Sequence, residues 1–331
     1  MTRPQRVIID CDPGIGPHLD ADDGLAILFS LSSPELSVEA VTTVFGNVTV
    51  DRGAQNAVRI LAAAGRADIP VAKGMDRPLS GRLQAENIVD YRKQDDSLPA
   101  VDPALPGVSD THAVDLIIET VRATPGEIAI LAVGPLTNVA MAILKEPRMT
   151  EWVSQIVIMG GAFGREARYG RGNVTPVAEL NIWNDPQAAA IVFDSGIPVT
   201  AAGLDVTNPN AGTVLYEQQL QGLLELEDNR LSQFLSEMCR TYIEAPRFTW
   251  AENGCVLYDA VAAAALARPE LGTTERGFVR VGEVGTVAEG QTVFYPDADG
   301  NVAILTAFQG ERFVGEFISR IGALIQLQSK H

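Results

Sequence analysis

Short apolar runs of strand length alternate along this chain with longer stretches of helical spacing. Val7–Ile9, Ile128–Val133 and Gln155–Met159 carry apolar side chains at consecutive positions, the pattern of strands covered on both faces. Ser37–Phe45 is strand-like and β-branched, and shorter strands are predicted near Pro70–Ala72 and Pro198–Ala202. Between them, Ala21–Ser32 places Leu25, Ile27, Leu28 and Leu31 at helical intervals, and Asp51–Ala64 does the same with Ala54, Ala57, Val58 and Leu61 before stopping at Gly65. Thr111–Ala123, Asn138–Leu144, Ser232–Ala245 and the alanine-rich Asp259–Ala267 continue the helical spacing. Asp185-Pro186 opens a further helix as N-cap followed by proline. The tail predicts a hairpin of Thr286–Tyr295 with Val302–Thr306 and a last helix from Glu311. Residues 76–108 are polar, contain prolines and lack a period, which predicts a long loop of the functional kind. This βαβα order predicts an α/β fold: a mostly parallel open sheet with helices on both faces, Rossmann-like in its core. No repeat, low-complexity stretch or linker divides residues 1–331, so a single domain is expected.

Charge narrows the classes of partner. The chain has 25 basic and 42 acidic side chains, a formal charge of −17, which makes nucleic acid or an anionic membrane a poor partner. No apolar stretch reaches spanning length and no signal-peptide pattern opens the chain, so a soluble cytoplasmic protein is expected. Cys11, Cys239 and Cys255 are too few and scattered for a disulfide framework or a zinc site.

The acidic excess is concentrated after the first strand. Residues 10–23 read DCDPGIGPHLDADD, with Asp10, Asp12, Asp20, Asp22 and Asp23, and no Lys or Arg occurs from Val7 through Asp51. Ligands of α/β sheets bind at carboxyl ends of strands. Crowded carboxylates need a proton or a cation, and aspartate oxygens without suitably spaced Cys or His suit Ca²⁺ or Mg²⁺. The structural alternative is an acidic turn with an N-cap for the following helix.

These residues carry a family resemblance. Asp10-Cys11-Asp12-Pro13-Gly14 and Asp22-Asp23-Gly24-Leu25-Ala26-Ile27 resemble the opening signature of the inosine–uridine-preferring nucleoside hydrolases. Seven residues, 15–21 (IGPHLDA), stand between the halves where that family usually has one, an insertion that puts His18 and Asp20 near the site mouth. Further blocks follow in order: Thr43–Val48 with Asn56-Ala57, Gly134–Asn138, Met159–Gly164 with Gly172-Asn173, Glu179–Pro186, and Tyr258-Asp259-Ala260. The resemblance implies hydrolysis of the N-glycosidic bond of ribonucleosides to ribose and free base, in nucleoside salvage. It implies Ca²⁺ held by Asp12, Asp23, Asp259 and the carbonyl of Val133, with Asp12 as general base. It implies ribose binding by Asp22, Asn47, Asn173, Glu179 and Asn181, and a homo-oligomer, dimer or tetramer.

Two departures bear on the base. The family's histidine before the last calcium aspartate is Tyr258 here, and Val89 stands where a loop histidine belongs. Purine-specific relatives stack the base on an aromatic at the first place, so Tyr258 favours purine ribonucleosides. His112 reads as structural, and His18 as an exposed loop residue before it is a substitute acid. Asp10 is expected to support Asp12 through local hydrogen bonds, Asn138 to start a helix, and Asp185 to act as N-cap. Tyr91, Phe163, Tyr169, Trp183 and Trp250 are further candidates for the base pocket, most of them expected in the core or rim. Two other functions fit parts of the pattern. One is an aspartyl-phosphate phosphohydrolase, suggested by Asp10-Cys11-Asp12 after a strand. The other is a non-catalytic or altered-specificity nucleoside-binding protein on the same fold.

Overall fold

The computed structural model describes residues 3–16, 19–81, 107–244 and 250–328. Its strands are β1 (Gln5–Cys11), β2 (Leu36–Thr43), β3 (Val71–Lys73), β4 (Ile128–Ala132), β5 (Val153–Met159), β6 (Val199–Ala202), β7 (Val214–Tyr216), β8 (Gly254–Val256), β9 (Gly272–Val281), β10 (Thr292–Pro296) and β11 (Val302–Phe308). Nine of them form one sheet in the order β10-β9-β11-β6-β5-β4-β1-β2-β3, while β7 and β8 pair antiparallel as a separate ribbon. From β3 across to β11 every pairing is parallel; β9 alone runs antiparallel to both its neighbours.

The consecutive apolar positions of the central strands serve two cores. Val7 and Ile9 of β1, Leu131 of β4 and Val157 of β5 pack on one face, with helices Asp22–Leu31, Val50–Ala63, Arg230–Glu244, Tyr258–Ala267 and Gly310–Gln328. Ile8, Ile130 and Ile158, one residue out of phase, pack on the other face with helices Ala113–Ala123, Thr137–Lys145 and Pro186–Phe193. Side chains alternate across a strand, so a strand covered on both sides must be apolar at both parities. The chain belongs to one α/β domain, as its βαβα pattern predicts.

The tail differs from its prediction. Val302–Phe308 is a strand, but β10 does not pair with it: β9 lies between the two and pairs with each. Residues 282–291, which include 286–291 of the expected first hairpin strand, form the connection between β9 and β10. The sequence GTTERGFVRV of β9 is too charged to announce a strand, because much of it faces solvent. Helices Leu180–Asn184 and Glu217–Leu224 and the short β7 and β8 also went unpredicted.

The topology places the site. From β1 the chain goes outward to β2 and β3, then returns to β4 and continues the other way through β5 and β6. Strand order therefore reverses between β1 and β4, the crevice where α/β sheets bind ligands. Asp12 directly follows β1, Asn47 follows β2 and Val133 directly follows β4.

Candidate active site

Asp12 is 1% exposed and is wedged between two glycines. A Cβ added at Gly46 would lie 1.9 Å from its Oδ2, and one at Gly134 would lie 2.6 Å from its Oδ1. No other residue type fits either position with this carboxylate in place. The Asn47 backbone N–H donates to Asp12 Oδ2 at 2.5 Å, and the Asp12 backbone N–H donates to Asp23 Oδ1 at 2.9 Å. Asn47 Nδ2 donates to Asp23 Oδ2 at 3.2 Å, so one asparagine bridges both aspartates.

A second group of carboxylates comes from two helix N-termini. Asp22 and Asp23 open helix Asp22–Leu31, and Asp259 lies in the first turn of Tyr258–Ala267, whose alanines let the two helices pack closely. Ligand oxygens of Asp22, Asp23 and Asp259 lie within 4.8 Å of one another, and all three residues are buried. None is an N-cap: those positions are Ala21 and Leu257, which make no side-chain cap bond. The capping alternative therefore does not account for them. Peptide dipoles at both helix starts favour the negative charge. They do not suffice, since burial first and repulsion second, from Asp20 on Asp22, Asp12 on Asp23 and Asp22 on Asp259, push all three well above the usual carboxylate range. Asp22 Oδ1 has no hydrogen-bond partner among the described residues. An all-oxygen donor set with an orphaned buried carboxylate oxygen fits a hard cation.

The remaining ligand candidates converge on the same crevice. Asp20, Asp22, Asn47, Val133, Met159, Asn173, Glu179, Leu180, Asn181, Tyr258 and Asp259 line a void of about 20 Å³. That is room for a water or a bare cation, and a nucleoside requires the lining to move. Glu179 caps helix Leu180–Asn184, accepting from the backbone N–H groups of Asn181 and Ile182, and also from that of Gly161. Burial raises it to about 7 against those bonds. Asn181 Nδ2 donates to the carbonyls of Val133 at 2.8 Å and Met159 at 3.1 Å, and Asn173 Oδ1 accepts from the Leu180 N–H. Tyr258 is 4% exposed, and its hydroxyl has no partner among the described residues. Its ring meets Trp250 at 5.9 Å between centroids, and Trp250 meets Tyr169 at 4.7 Å. Phe163 packs instead on Phe294.

Several supporting residues act differently from expectation. Asp10 makes no hydrogen bond to Asp12; its Oδ1 accepts from Thr42 Oγ1 at 2.6 Å and Asn138 Nδ2 at 2.8 Å, and burial raises it to about 7. Asn138 is more than a helix-start residue. Fully buried, it also donates to the Thr43 carbonyl and accepts from the Met75 N–H, tying β1, the end of β2 and helix Thr137–Lys145 together. No local sequence signal marks such a residue, since its partners are remote. Asp185 is an N-cap, accepting from Ala188 N–H, and additionally from Leu79 N–H and Thr137 Oγ1. His112 caps helix Ala113–Ala123. His18, Val89 and Tyr91, and most of the expected 76–108 loop, lie outside the described residues. Asp20, with no role assigned from sequence, is 5% exposed and lines the void.

A mostly parallel sheet with a buried, cation-ready carboxylate centre at its switch point, beside asparagines and aromatic side chains, is the arrangement of a metal-assisted hydrolase. The sequence model of the inosine-uridine preferring nucleoside hydrolases matches residues 7–315. "Uridine nucleosidase 1" of Arabidopsis thaliana is 37% identical over 293 residues, 87% of this chain and 81% of its own length. "Pyrimidine-specific ribonucleoside hydrolase RihA" of Citrobacter koseri is 36% identical over 320 residues, 95% and 97% of the two chains. The solved purine-preferring ribonucleoside hydrolase from Gardnerella vaginalis superposes with a TM-score of 0.83 at 31% identity, covering 97% of this chain and 99% of that one. The chain belongs to the inosine-uridine preferring nucleoside hydrolase family. It is an N-glycosyl hydrolase acting on ribonucleosides, which removes the phosphohydrolase reading, and the family is metal-dependent.

Proposed function

We propose that this chain hydrolyses ribonucleosides in a calcium-dependent reaction with Asp12 as general base, purine ribonucleosides preferred. The observation that carries the reading is the meeting, at one strand-order reversal, of a held carboxylate at Asp12 with the buried carboxylates of Asp22, Asp23 and Asp259. Asp12, Asp23, Asp259 and the Val133 carbonyl would hold Ca²⁺. When bound, the ion supplies positive charge that grips vicinal sugar hydroxyls and eases deprotonation of water. Asp12, fixed by the Asn47 N–H, takes the proton of the water that attacks the anomeric carbon. The bond to the base breaks with its electron pair leaving on the base nitrogen, which takes a proton from solvent. Asp22, Asn47, Asn173, Glu179 and Asn181 bind the ribose hydroxyls. A site built for hydroxyls leaves its own polar groups unpaired around a deoxy sugar, so ribosides exceed 2′-deoxyribosides.

The wall of Tyr258, Trp250 and Tyr169 supports the purine preference, since a larger ring system covers more aromatic surface. The names of the relatives divide between uridine or pyrimidine and purine substrates. A panel of purine, pyrimidine and modified ribosides, assayed for free base with and without chelator, tests the reading. Base release that stops with chelator and returns with Ca²⁺ is expected, as is its loss in Asp12→Asn with the fold intact. Chelator-insensitive turnover, or an active D12N variant, refutes it. Binding of nucleosides without turnover would return the protein to the non-catalytic reading. We also assign a cytoplasmic homo-oligomer. Exposed Phe278, Val293 and Tyr295 on the strands at the open sheet edge support self-association, and among the described residues no helix is long and apolar enough to cross a membrane.

A further inference from the structure

The turn that follows β5 contains no helix or strand, and one side chain from the neighbouring strand end shapes it. Asp205, just past β6, is 5% exposed. Its Oδ2 accepts from the Phe163 N–H at 2.8 Å, and its Oδ1 accepts from the N–H groups of Arg165 and, at 3.1 Å, Glu166. Glu166 repeats the device one step on, its Oε2 accepting from the N–H groups of Arg168 and Tyr169. Gly170 closes the turn. Its N–H donates to the Glu166 carbonyl, its carbonyl accepts from the Gly164 N–H, and an added Cβ would lie 2.3 Å from Asp205 Oδ1. The outcome is the placement of Tyr169, 7% exposed, with its ring 4.7 Å from that of Trp250, which in turn meets Tyr258. The next stretch is tied separately: the Asn173 N–H donates to the Ala178 carbonyl, and Asn173 Oδ1 accepts from the Leu180 N–H.

We propose that Asp205 is a positioning residue for the base subsite: it builds the 163–170 turn that seats Tyr169 in the aromatic wall, and so governs how tightly the base is held and not how fast its bond breaks. This rests on the nucleoside hydrolase reading above. Asp205 is not among the residues that line the void, so it acts through the turn. A turn without helix or strand has no ladder for its backbone N–H groups, and those left unpaired in the interior are costly. Here three of them converge on one short side chain, and both of its oxygens are used as acceptors. An asparagine in its place has one acceptor oxygen and turns an NH₂ group towards the donors it should satisfy. A turn released in this way lets the Tyr169 ring leave Trp250, and the wall on which the base stacks loses its backing. Asp12, Asp22, Asp23 and Asp259 stand on other elements, the end of β1 and two helix starts, and keep their places.

Asp205→Asn and Gly170→Ala strike the same turn from opposite sides, the first by removing an acceptor and the second by crowding it. With calcium-loaded enzyme and its best ribonucleoside, each should raise KM by about tenfold and leave kcat within about twofold of wild type. The inhibition constant of free ribose, which reports the sugar pocket alone, should stay at its wild-type value. Tyr169→Ala should raise KM by a similar factor. Adding D205N or G170A to Tyr169→Ala should then change KM by less than about twofold, because the side chain they position is gone. A fall in kcat with KM unchanged overturns the proposal, and so does a ribose constant that weakens in step with KM. KM effects that persist in full in the Tyr169→Ala background overturn it too, as do wild-type constants in both single variants. If melting curves show both single variants unfolded, the turn is part of the core and the proposal falls, while the hydrolase reading stands. A wild type that releases no base from any ribonucleoside overturns the hydrolase reading, and this proposal with it.

Discussion

Gly46→Ala tests the site through a single methyl group. The added Cβ would sit 1.9 Å from Asp12 Oδ2 and 2.7 Å from its Cγ, with Pro135 Cδ at 3.0 Å on another side. Real Cβ atoms stay beyond 3.0 Å, so the carboxylate must withdraw by about 1 Å or the backbone must shift by as much. Either movement breaks the 2.5 Å bond from the Asn47 N–H that aims Asp12. A hydrogen bond to a charged group is worth about 1.5–3 kcal/mol, and a 1 Å misplacement of a reacting group costs about a hundredfold in rate. G46A should therefore lose about a hundredfold in kcat for its best ribonucleoside. KM should change less, because Asn173, Glu179 and Asn181, proposed above as ribose ligands, lie away from Gly46. Gly53→Ala is the internal control. It lies in helix Val50–Ala63 with its nearest neighbour 3.6 Å from the added Cβ, so it should keep full activity and gain about 0.5–1 kcal/mol of stability. Steady-state kinetics and urea unfolding on the three proteins read both effects. A G46A protein with wild-type kcat would show that the orientation of Asp12 is not what limits the reaction.

Other consequences follow from the same geometry. Asn138→Ala removes two buried donations and one acceptance, leaving Asp10 with one partner fewer and the Met75 N–H unsatisfied. Urea unfolding should register a loss of about 3 kcal/mol, and a loss below 1 kcal/mol would mean that the network is not structural. Glu179, raised to about 7, holds its proton in the folded state after the unfolded chain has released it, so stability from this group falls as pH rises from about 4.5 to 7. Raised Asp22, Asp23 and Asp259 act in the same direction. Chelated protein should thus melt at a higher temperature near pH 5 than at pH 8, with excess Ca²⁺ narrowing the difference; a chelated protein most stable at pH 8 contradicts these shifts. Four carboxylates and no Lys or Arg line the void among the described residues. Nucleoside 5′-monophosphates should therefore be turned over at least about a hundredfold less efficiently than nucleosides, and comparable rates would reveal a cationic partner elsewhere.

What the sequence discloses depends on the distance over which each residue acts. The central strands are legible because burial on two faces leaves a continuous apolar run, as in Ile128–Ala132. β9 is not, because solvent on much of its length allows Thr273, Glu275 and Arg276 within the strand, and its pairing is decided by β10 and β11 rather than by itself. Asp12 and Asp23 are close in sequence and stand beside a strand end, so their crowding shows on the page. Asp259 joins them only because helix Tyr258–Ala267 packs along helix Asp22–Leu31, a contact that no local pattern records and that the family resemblance alone anticipates. Asn138 and Asp10, 128 residues apart, are silent for the same reason. Asp20 was hidden differently: it stands in an insertion with no period of its own, and its burial goes with that of Leu19, which packs over Gly14. The feature that points to the site is a disagreement between levels: charge of one sign, with no Lys or Arg from Val7 through Asp51, driven into the interior at two helix starts. Natural folds tolerate such conflicts mainly where function requires them. Among the described residues, helix dipoles and Asn47 answer part of that charge and leave Asp22 Oδ1 unanswered, which is where a bound cation would supply the remaining counter-charge.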